Sequence, residues 1–234
     1  MLTRHREPEL MDDPSLNRQA HAQALEGLAT LNALSGSASV LWQPLKNYAT
    51  QTGLRQLKIL DLATGSADVA LRLWRFARYD GLDMTVDGCD ISDTAIDYAR
   101  DRAARLRATS SFFKLDILNE DLPDGYDVIM CSQFLHHLSD AEVVRVLTKM
   151  GRSTNGMVLV SDLVRSRPNL CMVTIASRMF SRSPVVHFDG PASVRAAFTP
   201  EEMSDLASRA GLTGASVQER FPCRLLMTWR KSVV

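Results

Sequence analysis

Leu60-Asp61-Leu62-Ala63-Thr64-Gly65-Ser66-Ala67-Asp68 is the stretch on which the fold turns. Lys58 to Leu62 is a short apolar run that reads as a buried strand. It breaks at once into the small residues Ala63 to Ser66, and a helical pattern follows over residues 67–79. A strand, a tight turn and a helix make the opening unit of a parallel sheet. The alternation continues outward with strands at Thr85–Asp90, Ser111–Leu115, Tyr126–Ser132 and Gly156–Ser161. Helices at Asp93–Arg107, with Ser92 or Asp93 as N-cap, and at Asp140–Met150 lie between them. Strands at Ala215–Phe221 and Arg224–Arg230 flank Pro222 and are too close in sequence for a parallel crossover, so they pair antiparallel. The expected fold class is α/β, a Rossmann-like doubly wound sheet of seven strands, mostly parallel with a terminal antiparallel strand, plus a helical cap.

Two regions stand outside this rhythm. Leu16, Ala20, Ala24, Leu25, Leu28 and Leu31 recur at helical spacing over residues 15–34, with Asp13-Pro14 as start signal and Gly36 as stop. A second helix over about Ser39–Thr50 is expected to be interrupted near Pro44. Residues 1–53 are therefore expected to form an N-terminal helical cap, and 54–234 the sheet domain with a lid insertion at about 165–198. Within that insertion Asn169–Phe180 is an apolar helical stretch, and a loop carrying Pro184, Gly190 and Pro191 follows.

Composition removes several classes. The chain of 234 residues has 27 Lys plus Arg against 27 Asp plus Glu, so no electrostatic case exists for a nucleic acid partner. Hydrophobic residues at 45% and charged at 23% suit a soluble globular chain. No apolar run reaches the roughly 20 residues of a membrane span, and Met1–Pro14 lacks the apolar core of a secretory signal. Cys89, Cys131, Cys171 and Cys223 show no CxxC spacing and are expected as buried free thiols in a reducing cytoplasm. No metal-ligand cluster is legible, so no metal is expected.

The turn after the first strand sits where doubly wound sheets bind ligands. Asp61 and Asp68 flank it and would repel a dinucleotide pyrophosphate, whereas the ammonium and sulfonium of S-adenosylmethionine suit carboxylates. Asp90 ends the second strand, 25 residues after Gly65, and can accept both ribose hydroxyls. Asp61 would orient the cofactor's amino group or the loop.

These residues resemble the class I S-adenosylmethionine-dependent methyltransferases. Leu60 to Ala70 is similar to their first motif, nearest to the version in the ubiquinone/menaquinone biosynthesis enzymes. Asp90-Ile91-Ser92 resembles the ribose-binding segment, and Lys114-Leu115-Asp116-Ile117 the third-strand motif whose acidic residue contacts the adenine amine. Tyr126 to Leu138 looks like the fourth-strand motif of small-molecule methyltransferases. The resemblance spans about residues 57–161 and implies a cofactor site of Asp61, Ala63, Thr64, Gly65, Ser66, Asp90, Ile91, Asp116, Ile117 and Ser132. The family pattern has glycines where Ala63 and Ala67 stand; Ala67 opens a helix, where a positive φ is not expected to be needed.

His136 and His137, after the fourth strand, are the candidate catalytic bases. Phe134, Met172, Ile175, Met179, Phe180, His187 and Arg195 are the candidate acceptor pocket, with Phe188 and Asp189 in the same loop. Its Met-rich, flexible wall suits a small apolar or aromatic acceptor: a phenol, a quinone precursor or a polyketide-like compound of secondary metabolism, methylated on O or C. The first helix closes the pocket or serves a homodimer interface. The alternatives are an NAD(P)-dependent oxidoreductase of related fold and a non-catalytic cofactor-binding protein.

Overall fold

A computed structural model describes residues 2–13 and 15–231. Two helices, α1 (Arg18–Leu34) and α2 (Ser37–Thr52), precede β1 (Gln56–Leu62). The alternating part follows as α3 (Asp68–Asp80), β2 (Asp83–Asp90), α4 (Asp93–Leu106), β3 (Phe112–Lys114), β4 (Tyr126–Ser132), α5 (Asp140–Ser153) and β5 (Thr154–Leu163). Three helices, α6 (Arg167–Phe180), α7 (Pro184–Ala196) and α8 (Pro200–Arg209), lead to β6 (Ser216–Arg220) and β7 (Arg224–Arg230). The seven strands lie in the order β3-β2-β1-β4-β5-β7-β6. Only β7 runs against its neighbours, pairing antiparallel with both β5 and β6. The expected fold class is what the chain adopts. Strand order reverses between β1 and β4, so the crevice at their carboxyl ends is the place for a ligand.

Local chemistry explains the element ends. Ser139 and Glu142 form a reciprocal capping box at α5, and Thr199 and Glu202 form another at α8, where Pro200 takes the first helical position. Ser92 caps α4 by accepting from the Ala95 amide. The β strands are apolar on both faces because helices cover both: Ile59 and Val128 pack toward α2 and α3, Leu60 and Ile129 toward α5 and α8.

Three expectations change. Helix α1 starts at Arg18 with Asn17 as its cap, accepting from the Ala20 amide, and Pro14 lies outside the described residues. Helix α2 runs unbroken through Pro44, because Leu41, Leu45 and Tyr48 around it are buried in the sheet core. The supposed loop after α6 is the helix α7. A proline inside a helix costs about 3 kcal/mol, but Pro191 is carried by the burial of Val185, Val186, Ala192 and Val194 on the same helix. The thiols also divide: Cys89 and Cys131 are buried, Cys171 is exposed and Cys223 half-buried.

The N-terminal segment crosses the carboxyl edge of the sheet as a strap. Arg4 donates to the carbonyls of Ala196, His136 and Leu138, and its guanidinium stacks 3.8 Å over the Phe198 ring. The Leu10 and Met11 amides donate to the buried Asp189 carboxylate on α7. These tethers place Glu9 beside the end of β4.

Candidate active site

At the switch point a cavity of about 760 Å³ opens between the β1, β2 and β4 ends, α1 and the strap. Its floor is the turn after β1. Ala63, Gly65 and Ala67 all have positive φ, at 51°, 53° and 54°. Ala67, expected to need no such backbone, is thus the left-handed residue that redirects the chain into α3. Three of the turn's amides are already engaged: Thr64 donates to the Cys89 carbonyl, Gly65 to Asp90 Oδ2 at 2.9 Å, and Ala67 to the Thr64 carbonyl. A pyrophosphate needs such amides free, so this turn is a poor dinucleotide cradle.

Asp61 ends β1 almost fully buried. Its Oδ2 accepts from Thr64 Oγ1 at 2.8 Å, while Oδ1 has no partner among the described residues. Burial, with Asp68 and Asp90 nearby, pushes its pKa up to about 7. A buried carboxylate oxygen without a donor, on the wall of a cavity, fits a cationic ligand group such as an ammonium. Ser132 Oγ, at the end of β4 and also lining the cavity, is buried without a partner as well. Asp90 accepts from the Gly65 and Ser92 amides, one on each oxygen, and burial raises its pKa. Both its oxygens keep further lone pairs for hydroxyls. Ile91 and Asp116-Ile117 also line the cavity. Asp116 closes its own turn by accepting from the Leu118 amide and Asn119 Nδ2, and the Asn119 bond lowers its pKa. The expected cofactor residues Asp61, Ala63, Thr64, Gly65, Ser66, Asp90, Ile91, Asp116, Ile117 and Ser132 all meet on this one cavity.

The acceptor side departs from expectation. Of its seven candidates only Phe134 lines the cavity. Met172, Ile175, Met179 and Phe180 are exposed, because α6 turns its small Ser177 and Asn169 inward. His187 Nε2 bonds the Ser181 carbonyl at the foot of α7, and Arg195 is held at the end of α7, its carbonyl taking the His5 amide. The apolar wall comes instead from α1 and the strap: Met11, Leu16, Leu25 and Leu28 face Phe134 and Leu138.

Between those walls stands a polar cluster of which the sequence revealed the two histidines but not their carboxylate partners. His136 is buried, with Nδ1 2.6 Å from Asp162 Oδ1 and Nε2 3.5 Å from Glu9 Oε1. Its backbone amide donates to Asp162 Oδ2. Burial works against a charge there, but Asp162 and Glu9 outweigh it and hold the His136 pKa up at about 10. That describes an imidazolium, which corrects the reading of His136 as a free base. His137 Nε2 lies 3.9 Å from Glu9 Oε2, its ring 4.3 Å from that of His136. Ser193 on α7 donates to Glu9 Oε1 at 2.6 Å. Asp162 carried a signal, a carboxylate inside the apolar run Met157–Leu163; Glu9, 127 residues before His136, carried none.

Residues 59–155 match the methyltransferase domain family. An uncharacterised methyltransferase of Schizosaccharomyces pombe is 26% identical over 187 residues, covering 74% of this chain and 58% of its own length. The chain thus spans little more than half of that curated relative. Among solved structures, the plantazolicin methyltransferase in complex with S-adenosylhomocysteine superposes with a TM-score of 0.66 at 15% identity, over 92% of this chain and 96% of its own. Magnesium protoporphyrin IX methyltransferase from Synechocystis gives 0.53 at 16% identity, over 94% and 90%. At such identities the likeness is one of fold.

Proposed function

We propose that this chain transfers a methyl group from S-adenosylmethionine to a small, largely apolar acceptor, an aromatic hydroxyl compound or quinone precursor, on oxygen or carbon. The observation that carries the reading is Asp61 Oδ1, a buried carboxylate oxygen with no donor among the described residues, on the cavity wall beside a turn whose Thr64, Gly65 and Ala67 amides are already engaged. Asp61 would hold the ligand's ammonium, Asp90 its ribose hydroxyls, and the Leu115–Ile117 segment its adenine. The bound cofactor supplies an electrophilic methyl group, and the chain's part is mostly proximity and orientation. Three carboxylates around one turn, with the Gly65 amide taken by Asp90, weigh against the dinucleotide alternative.

The acceptor class follows from the corrected wall. Met11, Leu16, Leu28 and Phe134 offer apolar surface, and the cluster of Glu9, His136 and His137 gives one polar edge to meet a hydroxyl or enol. Isothermal titration with S-adenosylhomocysteine tests the cofactor half. Micromolar binding that is lost in Asp90→Ala is expected; unaltered binding in that variant removes the reading. For the acceptor half, Leu28→Ala and Phe134→Ala should shift preference across a panel of phenols and amines, and an unchanged preference would reject the proposed wall.

A further inference from the structure

We propose that Glu9, His136 and His137 form a binding site for one divalent first-row transition ion, with Zn²⁺ as the simplest occupant. Each residue offers one ligand atom, and these atoms all lie within 4.8 Å of one another. The His136 Nε2 to Glu9 Oε1 and His137 Nε2 to Glu9 Oε2 separations, 3.5 and 3.9 Å, exceed a good hydrogen bond. Each imidazole thus meets a different oxygen of the one carboxylate, at a spacing near the roughly 3.3 Å between ligand atoms that stand 2.0–2.1 Å from zinc in a tetrahedron. Bringing ligand atoms that lie within 4.8 Å of one another to that spacing takes a movement of about 1.5 Å or less in side chains that line one cavity.

The surroundings are those a metal site requires. Asp162 holds His136 Nδ1 at 2.6 Å, which fixes the ring and turns Nε2 toward Glu9, the carboxylate–histidine arrangement that supports a ligating imidazole. Ser193 fixes Glu9 Oε1 in the same way at 2.6 Å. Two nitrogens and a carboxylate oxygen suit zinc, iron or cobalt better than calcium or magnesium. Three protein ligands leave a fourth position, and all three residues line the same cavity as Asp61 and Asp90. The ion would replace the proton that His136 Nε2 presents to Glu9.

The ion site stands on this geometry alone; its use rests on the methyl-transfer reading. An acceptor hydroxyl bound at the open position gives its proton to solvent more readily, as metal-bound water does. Its oxygen then forms the new O–CH₃ bond as the S–CH₃ bond breaks, leaving the neutral thioether.

Tag-free protein, stripped with chelator, is titrated with Co²⁺ while visible absorption and S-adenosylhomocysteine binding are both followed. One equivalent should give d–d bands without a thiolate charge-transfer band, which keeps Cys171 and Cys223 out of the site. Glu9→Gln, which retains an acceptor for Ser193, and His137→Gln should each weaken Co²⁺ at least tenfold, with S-adenosylhomocysteine binding kept as the sign of an intact fold. Absent bands, a thiolate band, or equal affinity in wild type and both variants would overturn the site. Co²⁺ binding without S-adenosylhomocysteine binding would leave the ion site standing and remove the methyl-transfer reading instead.

Discussion

Replacing Asp61 by Asn isolates what the buried carboxylate does before and after a ligand arrives. Its pKa moves from 3.8 to about 7 on folding. A rise of about three units corresponds to a ceiling of about 4 kcal/mol between its two protonation states. The folded state holds the proton more tightly than the unfolded one, so the group's cost to stability begins near pH 4, grows as pH rises, and is complete above pH 7. Asn keeps an oxygen for Thr64 and carries no charge. The ligand-free variant should therefore be more stable than wild type at pH 8 by about 2–4 kcal/mol, and equal to it near pH 4. Asp68, Asp90 and Cys89 are present in both proteins and largely cancel in the difference.

Ligand binding should show the opposite sign. An ammonium prefers the ionised carboxylate, so wild-type affinity for S-adenosylhomocysteine should rise about tenfold per pH unit from 5.5 toward 7. It should level off there and fall only well into the alkaline range, where the ligand's amino group, raised by its own neighbouring carboxylate, loses its proton. Below pH 7 binding should release up to one proton, measurable by calorimetry in buffers of different ionisation enthalpy. The variant should lose both the slope and the proton release, and bind about 30-fold or more weakly at pH 7.5, since truncating one partner of a buried charge pair costs about 2–5 kcal/mol. A variant that binds as tightly as wild type at pH 7.5, or is less stable at every pH, refutes this account of Asp61.

Gly88→Ala should displace Thr64, whose side-chain atoms lie 2.8 Å from the added Cβ, and so weaken S-adenosylhomocysteine binding while costing about 1–3 kcal/mol in urea unfolding. Ala67→Gly relieves a left-handed alanine and should leave stability unchanged or raise it by up to about 1 kcal/mol, whereas Gly65→Ala, at φ 53°, should cost about 1–2 kcal/mol. Met179→Glu and Phe180→Glu, on the exposed side of α6, should alter neither S-adenosylhomocysteine affinity nor acceptor preference; a changed preference would place α6 over the cavity in solution. Arg165→Met removes the paired bonds to Glu202 and the bond to the Leu2 carbonyl, and should lower stability by about 1–3 kcal/mol, read from the denaturation midpoint.

The parallel sheet was legible because each β strand from Lys58 to Ser161 is a short apolar run with a turn at its carboxyl end, and such runs need helices on both faces. That the expected cofactor residues meet at one cavity was legible for the same reason. Asp61, Gly65 and Asp90 sit at ends of adjacent strands, so strand order alone brings them together. Ala67 departs from the expectation because a residue that opens a helix ordinarily shares its φ, while this turn needs a third left-handed residue to enter α3. Helix α7 was hidden by Pro184, Gly190 and Pro191, which read as a loop until the burial of its valines is known.

The acceptor half has a different physical origin. Apolar side chains on α6 signalled a wall, but spacing along one helix cannot say which face meets the cavity. Its small residues, Ser177 and Asn169, turn inward, and Gly190 of α7 lies against Val173 and Ser177. The wall goes instead to α1, whose Leu25 reaches to within 3.9 Å of a Cβ built on Gly65. Glu9 reaches His136 only because the strap is pinned on both sides of it, by Arg4 on the carbonyls after β4 and by the Leu10 and Met11 amides on Asp189. Those bonds link residues 132 to 179 positions apart, and no local pattern encodes them. The same bonds make the polar edge depend on the strap, since they are what hold Glu9 beside the buried His136. The Glu9–His136–His137 cluster is therefore held together by the strap, whereas the turn between β1 and α3 is held by its own bonds to the end of β2.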